Sequence, residues 1–513
     1  MSRTIRRFRR KPNGWVLARK ITQAAALLVF LGGLILSRNS TSQELLIKDL
    51  VRVSPLAMLA ELLSSKTFLA GSTLGLAVLL SSFFVGRAWC GWLCPLGTLL
   101  DVFHFSRGMK GKPLPEGLRK IKYGLLVLIL TAALLGNLTF LFFDPVTIFI
   151  RSMTLAVLPA LDKVVYFLET ALVKVPFLTD PVLAFDAWLR PQVFPVESAV
   201  YQYAVLFGGL LLILLLLNFV AERFWCRYLC PLGALLGLGA RLSLFQRRVN
   251  DHCTQCGLCA SDCPTGTIDA EKEFGSDPAE CTMCMRCLES CHQKAVTFTG
   301  KWQIAPRQEY DPGRRLFLGT AGLAVVMTVL FGVDWKGRQP RPRLLRPPGV
   351  EKNNAFLSTC VRCGLCMQVC PTQALQADLA ESGLEGPGTP VLVPRIGYCS
   401  FSCNACGQTC PVGAIPPLSL KEKRLSKIGR AVIDHDRCLA WGQHENCLVC
   451  EEMCPLPQKA ITLEKSGFSR TDLPGEELLL PVVNSDRCIG CGICENKCPV
   501  SGEAAIRVES IWS

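Results

Sequence analysis

Cysteine is the residue that most constrains this chain, because 28 of its 513 residues are cysteines. They divide into six groups of four and two further pairs, so that none is left over. Four groups have the spacing C-x2-C-x2-C-x3-C, and the other two keep the same ending after a longer first gap. Proline follows five of the groups, and His292 follows the remaining group, which ends at Cys291. The groups are Cys253, Cys256, Cys259 and Cys263; Cys281, Cys284, Cys287 and Cys291; Cys360, Cys363, Cys366 and Cys370; Cys399, Cys403, Cys406 and Cys410; Cys438, Cys447, Cys450 and Cys454; and Cys488, Cys491, Cys494 and Cys498.

This spacing presents three thiolates to one [4Fe–4S] cube and the fourth to a neighbouring cube. Two other uses of cysteine fit less well. Disulfide scaffolds are typical of small secreted chains, and zinc sites usually join two C-x2-C pairs or use histidine, of which this chain has only five. The sequence therefore predicts six [4Fe–4S] clusters, with all 24 grouped cysteines as iron ligands.

Apolar runs indicate that part of the chain lies in a membrane. Hydrophobic residues make up 50% of the sequence, and its mean hydropathy is +0.33. Five uncharged runs approach the ~20 residues that a helix needs to cross hydrocarbon. The first and last are short, so an interfacial or buried helix is the alternative for each. None contains histidine, and CxxCH is absent, which argues against membrane haem and c-type haem. The runs are 21–37, 67–86, 124–143, 202–220 and 316–333.

Basic residues predict the orientation of these spans. The segment before the first run is rich in arginine and lysine and has no acid, which places the N-terminus in the cytoplasm. The 87–122 loop has seven basic and two acidic residues, whereas 144–201 has four basic and six acidic. The cysteines of 246–300 then face the cytoplasm. The net charge of +14 is largely this flanking charge, so no nucleic-acid partner is predicted.

An internal repeat contains the four cysteines outside the six groups. Arg87 and Arg223 each begin the pattern R-x-W-C-x2-L-C-P-L-G, after the second and fourth runs. Continuous helix would place the two cysteines of each motif at i and i+4 on one face. Pseudo-symmetric packing would then gather four thiols, as a metal or cluster site or a dithiol relay, with simple packing as the alternative. These predicted catalytic residues are Cys90, Cys94, Cys226 and Cys230.

Four spans, two CxxxCP motifs and a following two-cluster region resemble the NapH family. These proteins are membrane subunits of the quinol dehydrogenase that serves periplasmic nitrate reductase. From about 311 the chain resembles the partner family NapG, because Gly313-Arg314-Arg315-Leu-Phe-Leu-Gly319 is similar to a twin-arginine signal and Cys360-Val-Arg-Cys363-Gly to the first NapG cysteine group. Arg346-Pro-Pro-Gly and Asn354-Ala-Phe add to the likeness. The resemblance implies a natural fusion of both subunits.

Two features depart from that pattern. Gly313 and Gly319 replace residues common in the export signal, so a cytoplasmic charge flank is the alternative. The linker after the fifth run is basic, which argues against an external position. The parity of the spans and the family resemblance still place 351–513 in the periplasm of a bacterial inner membrane. The basic linker residues are Lys336, Arg338, Arg341, Arg343 and Arg346.

The expected fold is a membrane α-helical part with about five transmembrane helices, joined to α+β ferredoxin-like polyferredoxin domains. In two-cluster ferredoxins the fourth cysteine of each group completes the cube of the other group, a pattern called here the crossed rule. For the groups of 246–300 this rule predicts that Cys291 completes the first cube and Cys263 the second. For the last four groups, resemblance to four-cluster ferredoxin subunits implies nested pairing, of the first with the fourth and the second with the third. The expected domains are 1–245 (NapH-like membrane domain), 246–300 (two-cluster ferredoxin), 311–350 (twin-arginine-like span and linker) and 351–513 (NapG-like four-cluster ferredoxin).

The resemblance implies a membrane-bound quinol dehydrogenase in anaerobic respiration. It would take electrons from the membrane quinol pool and pass them to a periplasmic cytochrome or reductase that feeds a terminal reductase such as nitrate reductase. Quinol-pocket candidates are Asp49, Arg52, Asp144 and Arg151, with solvated flanking charge as the alternative for each. Two other functions stay open: outward electron transfer from a cytoplasmic donor, and metal reduction during cofactor maturation.

Overall fold

The computed structural model describes residues 13–37, 44–66, 72–103, 115–190, 193–194, 198–300, 314–332, 343–379, 381–469 and 477–511. The first half of the chain is helical. Several of its helices begin at proline, whose fixed φ suits the first helical position, and Ser54 and Asp144 cap two of them with their side chains. The helices are α1 Gly14–Leu36, α2 Glu44–Arg52, α3 Pro55–Ser65, α4 Thr73–Val85, α5 Ala88–Trp92, α6 Pro95–Val102, α7 Ile121–Leu134, α8 Pro145–Ser152, α9 Leu158–Leu172, α10 Thr179–Leu189, α11 Ala204–Leu216 and α12 Pro231–Ala240.

Helices are present at all five predicted runs, the fifth being α15, Arg314–Gly332, which packs along α7. Among the described residues, only α1 is both long and apolar enough to cross a membrane by itself. The helices α4 and α11 are shorter, at 13 residues each. Residues 67–71 of the second run lie outside the described residues. One possible span is therefore found, and the other four are not confirmed.

Residues 245–300 form a small ferredoxin-like domain. Its two strands pair antiparallel, with Phe245 opposite Gly300 and Val249 opposite Val296, and so close the domain at its ends. Between them lie two short helices, each starting just after a cysteine turn. The elements are β1 Phe245–Val249, α13 Leu258–Ser261, α14 Arg286–Ser290 and β2 Val296–Gly300.

Residues 343–511 form a larger α+β domain with three antiparallel strand pairs. β3 pairs with β4, β6 pairs with β7, and β5 pairs with β8 at the C-terminal end of the chain. Short helices follow the cysteine turns here too. The elements are α16 Asn353–Leu357, α17 Leu365–Gln368, β3 Leu375–Ala377, β4 Pro390–Leu392, α18 Ala405–Thr409, α19 Leu420–Leu425, β5 Gly429–Ile433, α20 Leu439–Gly442, α21 Val449–Glu452, β6 Ile461–Ser469, β7 Glu477–Val483, α22 Ile493–Lys497 and β8 Ile506–Ser510.

The two ferredoxin-like domains contact opposite ends of the helical part. At the start of α7, Lys122 donates to Glu280 of the small domain at 2.5 Å. Just beyond the other end of α7, Asn137 donates to Glu385 of the large domain at 3.0 Å. The last turn of α1 also contacts the large domain, because the carbonyl of Leu34 accepts a hydrogen bond from Gln368. The helices therefore lie between the two ferredoxin-like domains.

Candidate iron–sulfur sites

The small domain arranges its eight cysteines around two cavities. Cys291 joins the first three cysteines at one cavity, and Cys263 joins the second three at the other. This is the crossed grouping that the sequence predicts. Arg247 lies between the cavities, where its guanidinium donates to the sulfur of Cys259 at 3.5 Å. Site 1 is Cys253, Cys256, Cys259 and Cys291, and site 2 is Cys263, Cys281, Cys284 and Cys287.

In the large domain the nested pairing is wrong. Cys498 lines a cavity with the third group rather than joining Cys360, and Cys454 lines a cavity with the fourth group. Likewise, Cys410 lies near the first group and Cys370 near the second. Consecutive groups therefore pair by the crossed rule. Site 3 is Cys360, Cys363, Cys366 and Cys410; site 4 is Cys370, Cys399, Cys403 and Cys406; site 5 is Cys454, Cys488, Cys491 and Cys494; site 6 is Cys438, Cys447, Cys450 and Cys498.

The reason for this pairing lies in the backbone. The antiparallel pairing of β5 with β8 encloses the third and fourth groups in one unit, which leaves the first two groups to each other. Hydrogen bonds join the two units, among them one from the amide of Cys399 to the carbonyl of Cys491 at 2.8 Å and four from Arg395 to carbonyls of 495–502. Sites 3 to 6 consequently form a series in which each site neighbours the next.

The cysteine environments fit a bound cluster. Backbone amides donate to the sulfurs of Cys291, Cys454 and Cys488 at 3.2 to 3.4 Å, which stabilises the thiolate form. Burial raises the pKa of Cys363 to about 12 and of Cys491 to about 11, so cluster assembly must release protons. Among the residues described, no three His, Cys, Asp or Glu side chains are grouped so as to hold a single metal ion.

The CxxxCP motifs are not continuous helix, so the condition for placing both cysteines of a motif on one helical face is not met. Cys90 lies in α5, which ends at Trp92, and Cys94 precedes α6 as its cap. In the second motif, Cys226 lies in a π-helical turn and Cys230 caps α12, where its sulfur accepts from the amide of Gly233 at 3.3 Å. Each break precedes a proline, because the residue before proline disfavours helical dihedrals and proline itself starts a new helix.

The four CxxxCP thiols nevertheless lie together. All four side chains are buried in one hydrophobic core, and each is close enough to affect the ionisation of others. Burial raises the pKa of Cys226 to about 11, although Arg223 and Arg87 lower it. The pseudo-symmetric gathering of thiols that the repeat predicts is thus present in the structure, while their role stays a prediction.

The first arginine of each repeat links the two motifs. Arg87 donates to the carbonyl of Cys226 at 3.4 Å, and Arg223 donates to the carbonyl of Cys90 at 3.3 Å. Each arginine is also neutralised by a buried carboxylate: Arg223 pairs with Asp101 at 2.6 Å, and Arg87 approaches Glu280 at 3.3 Å. Both arginines belong to the repeated sequence pattern, but the pattern alone did not indicate their role. A charged residue at the same position of two apolar repeats was the available signal.

Site 2 lies against the CxxxCP region. The indole of Trp92 donates to the carbonyl of Met283, between two cysteines of site 2, at 2.9 Å. Gly91 packs so closely on the Thr282 carbonyl that a side chain there would overlap it. The four buried thiols therefore lie between the helices and site 2.

Site 3 lies against the opposite end of the helices. Cys363 belongs to the same hydrophobic core as Phe30 and Leu34 of α1 and Phe149 of α8. Gln368 donates to the Leu34 carbonyl at 2.8 Å. A second core joins Cys360 and Cys366 of site 3 to Leu155 and Phe207 of the helical part, and cysteines of site 4 pack against its edge.

The four quinol-pocket candidates fall near site 3. Asp144 and Arg151 are buried, and Asp144 accepts from Ser54 at 2.6 Å. Arg52 donates to the carbonyl of Pro411, next to Cys410, at 2.7 Å, and lies 3.7 Å from Asp49. Solvated flanking charge therefore does not describe Asp144 or Arg151.

One buried acid near these candidates was missed. Glu61 of α3 is only 5% exposed, and its Oε1 has no hydrogen-bond partner. Burial raises the pKa of Glu61 to about 7, although Arg52 lowers it. A lone acid in the apolar helix 55–65 was the available signal in the sequence.

These folds and cysteine sites define an iron–sulfur electron-transfer protein with multiple [4Fe–4S] clusters. The sequence matches families described as 4Fe-4S binding domain, at 67–113, 203–250, 248–269 and 281–295, and 4Fe-4S dicluster domain, at 359–414 and 445–501. The dicluster matches coincide with the two consecutive pairs that the structure brings together. No solved structure matches the chain.

Curated relatives identify the family. The chain is 38% identical over 207 residues to the methylamine utilization ferredoxin-type protein MauM of Methylorubrum extorquens, covering 39% of this chain and 89% of the relative. It is 39% identical over 202 residues to the ferredoxin-type protein NapG of Escherichia coli, covering 38% of this chain and 85% of the relative. The chain belongs to this family of MauM and NapG ferredoxin-type proteins. The CxxxCP segments matched above are consistent with a fused NapH-like part.

Proposed function

We propose that this protein oxidises quinol in the cytoplasmic membrane and passes the electrons through sites 3 to 6 to a periplasmic acceptor. The observation that carries the proposal is the burial of Cys363 in the core of the helical part. An electron released at that end of the helices has site 3 beside it, and sites 4, 5 and 6 follow in series. The relatives named MauM and NapG support a role in a redox pathway of this kind.

Exposed apolar side chains support the membrane placement. Large hydrophobic residues face outward on α1, α4, α11 and α15, as Leu28, Phe84, Val205 and Val329 illustrate. Soluble proteins rarely expose contiguous apolar patches of this kind. Helices that are each short can still cross a bilayer where 3-10 turns extend them, as the turns 116–120 and 217–219 extend α7 and α11. We therefore retain five spans, with 246–300 cytoplasmic and 351–513 periplasmic.

Different residues beside site 3 would supply positive charge to quinol and accept its protons. Quinol gives up two electrons and two protons as it becomes quinone, and a bound [4Fe–4S] cluster accepts one electron at a time. Arg52 and Arg151 supply positive charge to the quinol oxygens. Glu61 is suited to accept a proton, because its pKa of about 7 lies near neutral pH. The 24 grouped cysteines hold six clusters.

A second function is favoured by the opposite end of the molecule. Site 2 lies against the CxxxCP region and neighbours site 1, so a cytoplasmic donor could send electrons outward through both sites. The direction of flow distinguishes the two functions.

Quinol is expected to reduce the clusters of the purified protein directly. The preparation should first contain about 24 iron atoms per chain with matching sulfide, as six cubes require. Anaerobic addition of a reduced quinol analogue, followed by electron paramagnetic resonance, measures reduction. In Cys363→Ser, sites 4 to 6 should lose quinol reduction and remain reducible by dithionite. Reduction by a low-potential cytoplasmic donor but not by quinol would favour the second function instead.

The two ferredoxin-like domains are expected on opposite sides of the membrane. A reporter active only outside the cytoplasm should work after Ser513 and fail near Gly300. Changing both Arg314 and Arg315 to lysine should retain the large domain inside, because a twin-arginine route carries folded, cluster-bearing domains. These arginines begin α15, whereas Gly313 and the linker lysine and arginines up to 342 lie outside the described residues. External exposure of the large domain in the double-lysine variant would show that the arginines are only a charge flank.

A further inference from the structure

Arg151 is a buried cation without a matching anion. Only 2% of its surface is exposed, and its guanidinium lies 3.6 Å above the Phe142 ring. One nitrogen donates to the Phe142 carbonyl at 3.3 Å, whereas Nε and Nη1 are buried without a hydrogen-bond partner. Burying an unpaired charge is costly, so a buried guanidinium is expected to face a compensating negative charge.

The cysteine turn of site 3 packs directly against Arg151. Gly364, which follows Cys363, packs on the Cα and Cγ of Arg151, and its φ of +83° allows the cysteine turn to approach α8 this closely. Cys363 is also among the groups that interact electrostatically with Arg151. Four cysteine thiolates around one cluster supply net negative charge at this position.

Two further arginines approach the same cysteine turn. Arg362, between the first two cysteines of site 3, is 1% exposed and donates to the Cys360 carbonyl at 3.3 Å. Arg346 is equally buried and donates to side chains and a carbonyl of the 382–390 segment. Acids of the 378–385 segment compensate part of both charges, because Arg346 interacts electrostatically with Asp378 and Glu381, and Arg362 with Glu385.

The acids in this region are occupied by other donors. Asp144 accepts from Ser54 and Thr147, and Glu385 accepts from Asn137. Of the three arginines, Arg151 is the one whose side-chain nitrogens include buried atoms without a hydrogen-bond partner among the described residues. Arg151 is therefore the least compensated of the three charges beside site 3.

We propose that Arg151, with Arg362 beside it, raises the reduction potential of the cluster at site 3, so that this site accepts electrons from quinol. Positive charge buried beside a cluster stabilises the added electron, since net charge is one of the determinants of cluster potential. Low dielectric surroundings strengthen the effect. Arg151 comes from the helical part, so docking of the large domain places this charge. The inference rests on the proposed direction of flow, whereas its test does not.

Potentiometric titration of the complete, cluster-loaded protein tests the role of Arg151. Arg151→Met keeps the apolar packing on Phe142 and removes the charge, whereas Arg151→Lys keeps the charge. In Arg151→Met, one cluster signal should become harder to reduce by at least about tenfold in its equilibrium constant, about 59 mV for one electron. Arg151→Lys should retain most of the original potential. Lys465→Gln, which removes an exposed charge on β6, should leave every potential unchanged.

The outcomes separate this inference from the proposed function. Unchanged potentials in Arg151→Met would overturn the role of the arginine, even if quinol still reduces the clusters. A shifted potential in a protein that quinol cannot reduce would keep the electrostatic role and remove the quinol function. If Arg151→Met does not retain its iron, Arg362→Gln tests the same charge from within the large domain. Unchanged potentials in that variant would also overturn the inference.

Discussion

Replacing Glu280 with leucine is expected to destabilise the contact between the small domain and the helices by about 3–5 kcal/mol. Glu280 accepts from Lys122 at 2.5 and 2.6 Å and lies 3.3 Å from Arg87, and all three groups are buried. Without the carboxylate, two cations are left in the interior with no counter-charge. Thermal unfolding and protease cleavage of 246–300 would measure the loss. Glu271→Leu, an exposed acid in the same domain, is the matched control.

The same carboxylate gives the contact a pH dependence of defined sign. Burial alone would raise the pKa of Glu280, but Lys122 and Arg87 lower it below its ordinary value of 4.5. Because the folded pKa is the lower one, the stabilisation is present above pH 4.5 and is lost as the pH falls through the folded pKa. The stability of the contact should fall more steeply with decreasing pH in the wild type than in Glu280→Leu. An equal dependence on pH in the two proteins would contradict this account.

Losing the CxxxCP thiols is expected to impair one shared step. Any single Cys→Ser change at Cys90, Cys94, Cys226 or Cys230 should slow quinol-driven cluster reduction at least about tenfold, and the quadruple variant should be little slower, because residues of one site act as a unit. Rates should be compared only among variants that insert and retain their six clusters.

Ser82→Ala, a buried change beside α12, is the control for this series. It alters packing without removing a thiol and should leave the rate unchanged. Near-normal rates of cluster reduction in the quadruple variant would show that the four cysteines have only a structural role. Separate, additive stability losses at each position would point the same way.

The cysteine spacing predicted which residues form the sites, and the structure shows why it did not predict every pairing. The crossed rule depends on a short turn and a neighbouring group, and it was sufficient for sites 1 and 2. The nested pairing came from resemblance alone, and the β5–β8 contact contradicts it. Within the CxxxCP motifs, Pro95 and Pro231 mark where each helix breaks, which is why the continuous helix considered for each motif does not form.

The contacts between the large domain and the helices could not be predicted from the sequence, for a different reason. The contact between Gln368 and Leu34 joins residues more than 300 positions apart, and neither has a local pattern that indicates a partner. Arg151 was a candidate because it is a charge near an apolar run. Its neighbour across the contact, Gly364, has a recognisable role only once α8 and the cysteine turn are seen together.

The burial of site 3 against α1 and α8 also constrains the order of biogenesis. Cys363 and Cys366 are closed off from solvent in the assembled protein, and the helical part supplies part of their cover. Iron and sulfide therefore have to be delivered before the large domain meets the helices. With the topology proposed above, this order means that the domain matures in the cytoplasm, is exported as a loaded unit and docks afterwards.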